Sequence, residues 1–178
     1  MNLEHLMDTV PAYAKDLKLN LSSVMQQPDL TPQQAWGSAL ACAMAARNPR
    51  LLTAIAAEAA KHLSPEAVEA AKAAAAIMGM NNVFYRFHHL TTNEKYSTMP
   101  ARLRMNVLRT HGIAHVDFEL FCLAVSAINA CDKCVDSHEK VVREKGLAEE
   151  NVLAVVRIAS VLHALASVLD AEAVLVSA

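Results

Sequence analysis

Thr31-Pro32-Gln33-Gln34-Ala35-Trp36-Gly37-Ser38-Ala39-Leu40-Ala41-Cys42-Ala43-Met44-Ala45-Ala46-Arg47-Asn48-Pro49 is the stretch from which the fold can be read. Thr31 can cap a helix, Pro32 suits its first position and Gln34 can reach back to the cap, so a helix begins near residue 32. The 12 residues 35–46 carry no charge and are mostly alanine and other apolar types, which describes a helix buried on all sides. Asn48-Pro49 repeats the cap-plus-proline signal, and proline breaks a helix from within, so a turn separates residues 35–47 from a second helix over 50–62. Ser64-Pro65-Glu66 opens a third helix, and Gly79 and Gly146 suit helix C-termini.

The rest of the chain agrees. Of its 178 residues, 54% are apolar and 19% charged, with only 4 glycines and 6 prolines. That composition excludes a disordered or collagen-like chain and disfavours a β-sandwich or barrel, which needs many turns. The predicted fold class is all-α, in one domain spanning 1–178. The net charge of −2 offers no basic surplus for phosphates or anionic lipid, so no nucleic-acid partner is expected. The longest uncharged runs, such as 35–46, 120–131 and 158–169, fall short of the roughly 18–20 residues that span a bilayer, so no membrane partner is expected. Glu4 and Asp8 near the start are unlike a secretory signal, which points to a cytoplasmic protein.

Shifted by 84 residues, Lys61-His62-Leu63-Ser64-Pro65-Glu66-Ala67-Val68 falls on Lys145-Gly146-Leu147-Ala148-Glu149-Glu150-Asn151-Val152 with four of eight positions identical. The chain is therefore expected to hold two copies of a helical unit, a degenerate one near 31–78 and an active one near 115–162. At that offset Ala35, Arg47, Arg50 and Ala54 of the first copy face Glu119, Cys131, Cys134 and His138 of the second. The intervening residues 81–115, with Phe84, Tyr85, Phe87 and Tyr96, read as an irregular connection. Their aromatics serve as core anchors or an oligomer contact.

The chemistry concentrates in Cys131-Asp132-Lys133-Cys134-Val135-Asp136-Ser137-His138, a Cys-x-x-Cys with histidine four residues on. With Asp132 as a helix cap, Cys134 takes the second helical position, where free backbone N–H groups favour its thiolate. His138 shares its helical face and can take its proton. Cys134 is thus the better placed nucleophile. Cys131 is within reach to attack a sulfenic acid on Cys134 and close a disulfide. Glu119, on a helix predicted over residues 117–129, sits among Phe118, Leu120, Phe121 and Leu123. It is either a surface residue or a buried proton carrier.

Competing readings remain open. The two cysteines, His138 and either Glu119 or His115 could bind zinc, although no second Cys/His pair stands at structural-zinc spacing. Attached haem needs histidine where Val135 stands, and a thioredoxin-like fold needs strands. Inert thiols are the remaining alternative. Cys42 and Cys122 read as buried small hydrophobes, while His88, His89, His111 and His115 read as loop or surface histidines. Trp36, Met44 and Met78 read as core packing. Glu139, Lys140, Arg143, Glu144 and Lys145 read as a solvated helix face.

Asn81-Asn82-Val83-Phe84-Tyr85-Arg86, Arg104-Met105-Asn106 and Phe118-Glu119-Leu120, with Ala124-Val125-Ser126-Ala127-Ile128-Asn129-Ala130-Cys131-x-x-Cys134-x-x-x-His138-Glu139, resemble the AhpD family of alkylhydroperoxidases. So do Ala35-Trp36-Gly37-Ser38-Ala39-Leu40-Ala41 and Arg47-Asn48-Pro49, and the similarity covers nearly the whole chain. The cysteine–histidine pattern alone is shared by the broader carboxymuconolactone decarboxylase-like superfamily. The resemblance implies a homotrimer that reduces alkyl hydroperoxides without haem, metal or other cofactor. It assigns Cys134 as peroxidatic, Cys131 as resolving thiol and proton donor, and Glu119 and His138 as proton relay. It further implies a dihydrolipoamide-bearing acyltransferase and its flavin dehydrogenase as reductant, and the peroxiredoxin AhpC as a partner. Lys133 departs from the histidine of the best-known member; an ammonium holds its proton near neutral pH but can support a thiolate. The alternatives are a carboxymuconolactone-type decarboxylase, which needs no paired thiols, and a zinc-stabilised interaction module.

Overall fold

Thr31 accepts a hydrogen bond from the Gln34 backbone while the Gln34 side chain accepts from the Thr31 backbone, and this reciprocal cap starts helix α3, Pro32–Ala46. The computed structural model describes residues 2–175 and contains no strand among them. Around α3 run α1 (Leu3–Asp8), α2 (Lys15–Val24), α4 (Pro49–Ala59), α5 (Pro65–Leu90), α6 (His115–Ile128), α7 (Asp132–Glu144) and α8 (Glu149–Leu175). Asn48 and Ser64 cap α4 and α5 through their side chains, with proline first in each helix. The all-α class follows from these local signals.

Helices α3 and α6 form the centre. α3 packs on α4, α5, α6 and α8, and α6 packs on α5, α7 and α8. α6 is buried continuously from Asp117 to Ser126, and Phe118, Phe121, Leu123 and Leu162 fill the interior. Two contacts fix the α3–α6 pairing. Gln33 and Gln34 donate side-chain hydrogen bonds to the buried Asp117 carboxylate at 2.7 and 2.8 Å. Gly37 lies against the Phe121 ring so closely that a Cβ there would collide with it.

Several expectations need correction or refinement. Gly79 does not end a helix: α5 runs on through Asn81 to Leu90, because an alanine-rich helix tolerates one exposed glycine and Asn82 is tied across to α6. The irregular connection is correspondingly shorter, residues 91–114 with 3₁₀ turns at Glu94–Thr98 and Asn106–Leu108. Phe87 and Tyr96 pack edge to face on each other but stay exposed, so they are not core anchors. Trp36 packs against the core as expected, but it is only half-buried and also stacks on His62 at 4.8 Å in a groove of about 830 Å³ beside α1 and α2. Finally, α8 is long and apolar enough to cross a membrane, which counting uncharged runs did not register. Half of its most apolar window is buried inside this fold, as in a core helix.

Candidate active site

The α6–α7 turn decides where the two cysteines go. Ala130 takes a left-handed conformation, φ 51°, and sends the chain into α7 with Cys131 as the residue preceding its first turn. Asp132 is therefore not the cap but the first helical residue, and Cys134 occupies the third position rather than the second. The α3–α4 turn has the same pattern, with Arg47 left-handed and Asn48 as the cap, 83 residues before Ala130 and Cys131 rather than 84. Asn48, which caps Leu51 through its side chain at 2.8 Å, takes the place of Cys131, and Leu51 that of Cys134. Both sulfurs thus lie at the positive end of a 13-residue helix, and the dipole favours a thiolate on either.

Burial separates them. Cys131 and Cys134 are joined as a disulfide with Cα atoms 5.3 Å apart, yet Cys131 is fully enclosed while Cys134 lines a cavity of about 220 Å³. Met78, Tyr85, Met105 and Leu108 give that cavity apolar walls, and Asn81, Lys133 and His138 supply its polar atoms. The Lys133 ammonium stands 5.9 Å over the Tyr85 ring. Asn81 is buried, and its Oδ1 has no hydrogen-bond partner among the described residues.

Glu119 is buried, which settles its two sequence readings in favour of the interior. Its Oε2 lies 2.7 Å from His138 Nδ1, and its Oε1 lies 3.4 Å from His115 Nε2. His138 Nε2 stands 3.2 Å from Met78 Sδ. A thioether sulfur only accepts, so this contact places a hydrogen on Nε2. Met78 Sδ also accepts from Ser126 Oγ at 3.4 Å, which makes Met78 more than the core packing expected of it. His115, expected in a loop or on the surface, is the first residue of α6 and stands one helical turn before Glu119; that i, i+4 spacing was the available signal.

A polar network holds the turn behind the cysteines. Asn82 donates to Ser126 Oγ at 2.9 Å and accepts from Asn129 Nδ2 at 2.9 Å, while Arg86 donates to the Asn129 carbonyl at 2.5 Å. The end of α5 is therefore fastened to the last turn of α6, one residue before Ala130. Cys42 and Cys122 are buried in apolar surroundings that push both thiols far above the ordinary range, as expected of bystanders. Among the described residues, no group of three or more His, Cys, Asp or Glu is arranged to hold a metal ion.

A dithiol at a helix N-terminus, opening on an apolar cavity and backed by an imidazole paired with a buried carboxylate, is arranged for thiol redox chemistry with proton transfer. The family model described as Carboxymuconolactone decarboxylase family matches residues 94–177, which contain all four of these groups. Across nearly the full chain the sequence is 64% identical over 173 residues to the alkyl hydroperoxide reductase AhpD of Solibacter usitatus, covering 97% of this chain and 98% of the relative. It is 62% identical over 175 residues to that of Acidobacterium capsulatum, covering 98% and 96% of the two chains. The AhpD of Streptomyces griseus is 54% identical over 175 residues, covering 98% and 99%. At such identity over such coverage, the chain belongs to the AhpD family of alkyl hydroperoxide reductases.

Proposed function

We propose that this chain is a thiol peroxidase that reduces alkyl hydroperoxides by cycling Cys131 and Cys134 between dithiol and disulfide. The observation that carries the reading is the unequal burial of the two sulfurs: only Cys134 opens on the apolar cavity that also contains His138. The Cys134 thiolate attacks the terminal peroxide oxygen, an S–O bond forms, the O–O bond breaks, and the alkoxide leaves as alcohol with one proton. Cys131 then attacks the sulfenic sulfur, an S–S bond forms, and hydroxide departs as water with the Cys131 proton. A dithiol donor restores both thiols by exchange and is itself oxidised to a disulfide. Glu119 and His138 relay the protons.

The family supports the finer assignments: a dihydrolipoamide-bearing acyltransferase with its flavin dehydrogenase as electron source, AhpC as a further acceptor, and a cytoplasmic homotrimer. The exposed apolar residues Val83, Phe87, Leu90 and Met99 are available for a subunit contact. The same reading treats the chain as one domain built from a degenerate and an active helical unit. The test is hydroperoxide-dependent oxidation of dihydrolipoamide. Wild-type protein turns over, Cys134→Ser does not, and Cys131→Ser reacts once without recycling. Sustained turnover by Cys134→Ser would falsify the assignment.

A further inference from the structure

The Glu119 carboxylate has two imidazole neighbours, and only one of them, His138, is used by the mechanism above. On the other side, His115 Nε2 lies 3.4 Å from Glu119 Oε1, and His115 Nδ1 lies 3.3 Å from His111 Nε2. The His115 side chain is 45% exposed, whereas that of Glu119 is 9% exposed, so this row of groups leads from the buried pair to water. His111 is held flat on Phe118, with ring centroids 4.2 Å apart and planes 7° from parallel.

The hydrogen positions along the row follow from one backbone group. The Ile113 N–H donates to His111 Nδ1 at 3.4 Å, so a neutral His111 carries its hydrogen on Nε2. That hydrogen points at His115 Nδ1, which must then accept, and His115 is left with its own hydrogen on Nε2, pointing at Glu119 Oε1. Every donor in the row therefore faces inward. Burial, and then the neighbouring His115, lower the His111 pKa below its ordinary value, which favours the neutral ring that this order needs.

We propose that His115, backed by His111, is the solvent end of a proton path that feeds the Glu119–His138 pair during peroxide reduction. This rests on the peroxidase reading, because the proton it delivers is the one consumed when a Cys134 thiolate expels an alkoxide. With the hydrogen of a neutral His138 on Nε2, the hydrogen in its 2.7 Å contact with Glu119 sits on Oε2; in that step His138 gives the Nε2 proton to the leaving oxygen and takes the Oε2 proton at Nδ1. Glu119 recovers a proton at Oε1 from His115 Nε2, and His115 is recharged at Nδ1 by a proton from water, either directly or by way of His111, which water then reprotonates. One proton enters, one is consumed, and no group changes oxidation state along the row.

The experiment compares wild-type protein, His115→Gln and Glu119→Gln in weak buffer, with imidazole added stepwise and an organic hydroperoxide as substrate. For His115→Gln the expected result is a fall in kcat of about tenfold, below the roughly 10²-fold or more of a direct general acid, with KM little changed. Imidazole restores that loss with saturation and leaves wild-type turnover unaltered. Glu119→Gln loses more and is not restored, since its break lies inside the protein. A His115→Gln enzyme as fast as wild type without imidazole overturns the proposal, as does a loss that imidazole fails to repair. If wild-type protein consumes no hydroperoxide, it is the peroxidase reading that fails. The path is then judged by imidazole nitrogen NMR of the wild-type chain, where a His115 hydrogen on Nε2 upholds it and one on Nδ1 overturns it.

Discussion

Substituting Gly37 by alanine sets two effects of opposite sign against each other at the contact that positions α6. In an exposed helix interior, Gly→Ala stabilises by about 0.8–1.0 kcal/mol. At Gly37 the new Cβ would lie 2.5 and 2.7 Å from Phe121 Cε1 and Cε2, roughly 1 Å inside ordinary contact. The Phe121 ring is fully buried and has nowhere to swing, so α3 and α6 must part. Overpacking of this kind costs about 1–3 kcal/mol, and the Phe121 clash involves three ring atoms, so we take the upper part of that range. The net expectation is a loss of about 1–2 kcal/mol, or about 2–8 °C in melting temperature for a domain of this size. Gly79→Ala is the matched control: it is helical, exposed and has no atom within 4 Å of a new Cβ, so it should gain stability. Urea unfolding followed by far-UV circular dichroism reads both variants. A stabilised Gly37→Ala, or the same shift in both, would refute the claim that a glycine is required for the approach of α3 to α6.

Other outcomes follow from the same contacts. In folded, reduced protein a thiol reagent should modify Cys134 quickly and leave Cys42 and Cys122 untouched, because burial raises both thiols, and full reactivity should appear only in denaturant. Asp117→Ala leaves the Gln33 and Gln34 amides without their carboxylate and should cost about 2–3 kcal/mol in urea unfolding, with Asp117→Asn intermediate. His111, its pKa lowered chiefly by burial, binds a proton less readily folded than unfolded. Its contribution is complete above the unfolded value of about 6.5 and is lost as pH falls toward the folded value, so wild-type stability should decline relative to His111→Gln below about pH 6.5. A difference that does not change with pH would contradict that sign.

Sequence alone revealed most of the scaffold because its helix starts are local events. Thr31-Pro32, Asn48-Pro49 and Ser64-Pro65 each carry cap and first residue side by side, and each opens a helix where expected. Helix ends were less legible. Gly79 looked like a stop, but α5 continues because distant residues, Ser126 and Asn129, engage Asn82 beyond it. The α7 cap moves by one residue because the left-handed turn falls on Ala130, next to the Asn129 carbonyl that Arg86 of α5 holds, and neither feature has a local sequence signal. In the site, Cys131, Cys134 and His138 are legible from residue type and spacing, whereas those signals leave Glu119 open between surface and interior; its burial and the carboxylate–imidazole contact at 2.7 Å come from the packing of α6 against α7. Met78 reads as core packing, and His115 as a loop or surface histidine or an alternative zinc ligand, because their places beside His138 and Glu119 are set by the packing. Met78 matters only because α5 crosses behind His138, and His115 only because it stands a turn before a buried acid.

The central claim is that Cys134 is the sulfur that meets peroxide. Its most direct test treats reduced Cys131→Ser with stoichiometric alkyl hydroperoxide, traps the product with dimedone and locates the adduct by peptide mass spectrometry. One adduct is expected, on Cys134. No adduct at Cys134, or one on Cys42 or Cys122, would contradict it.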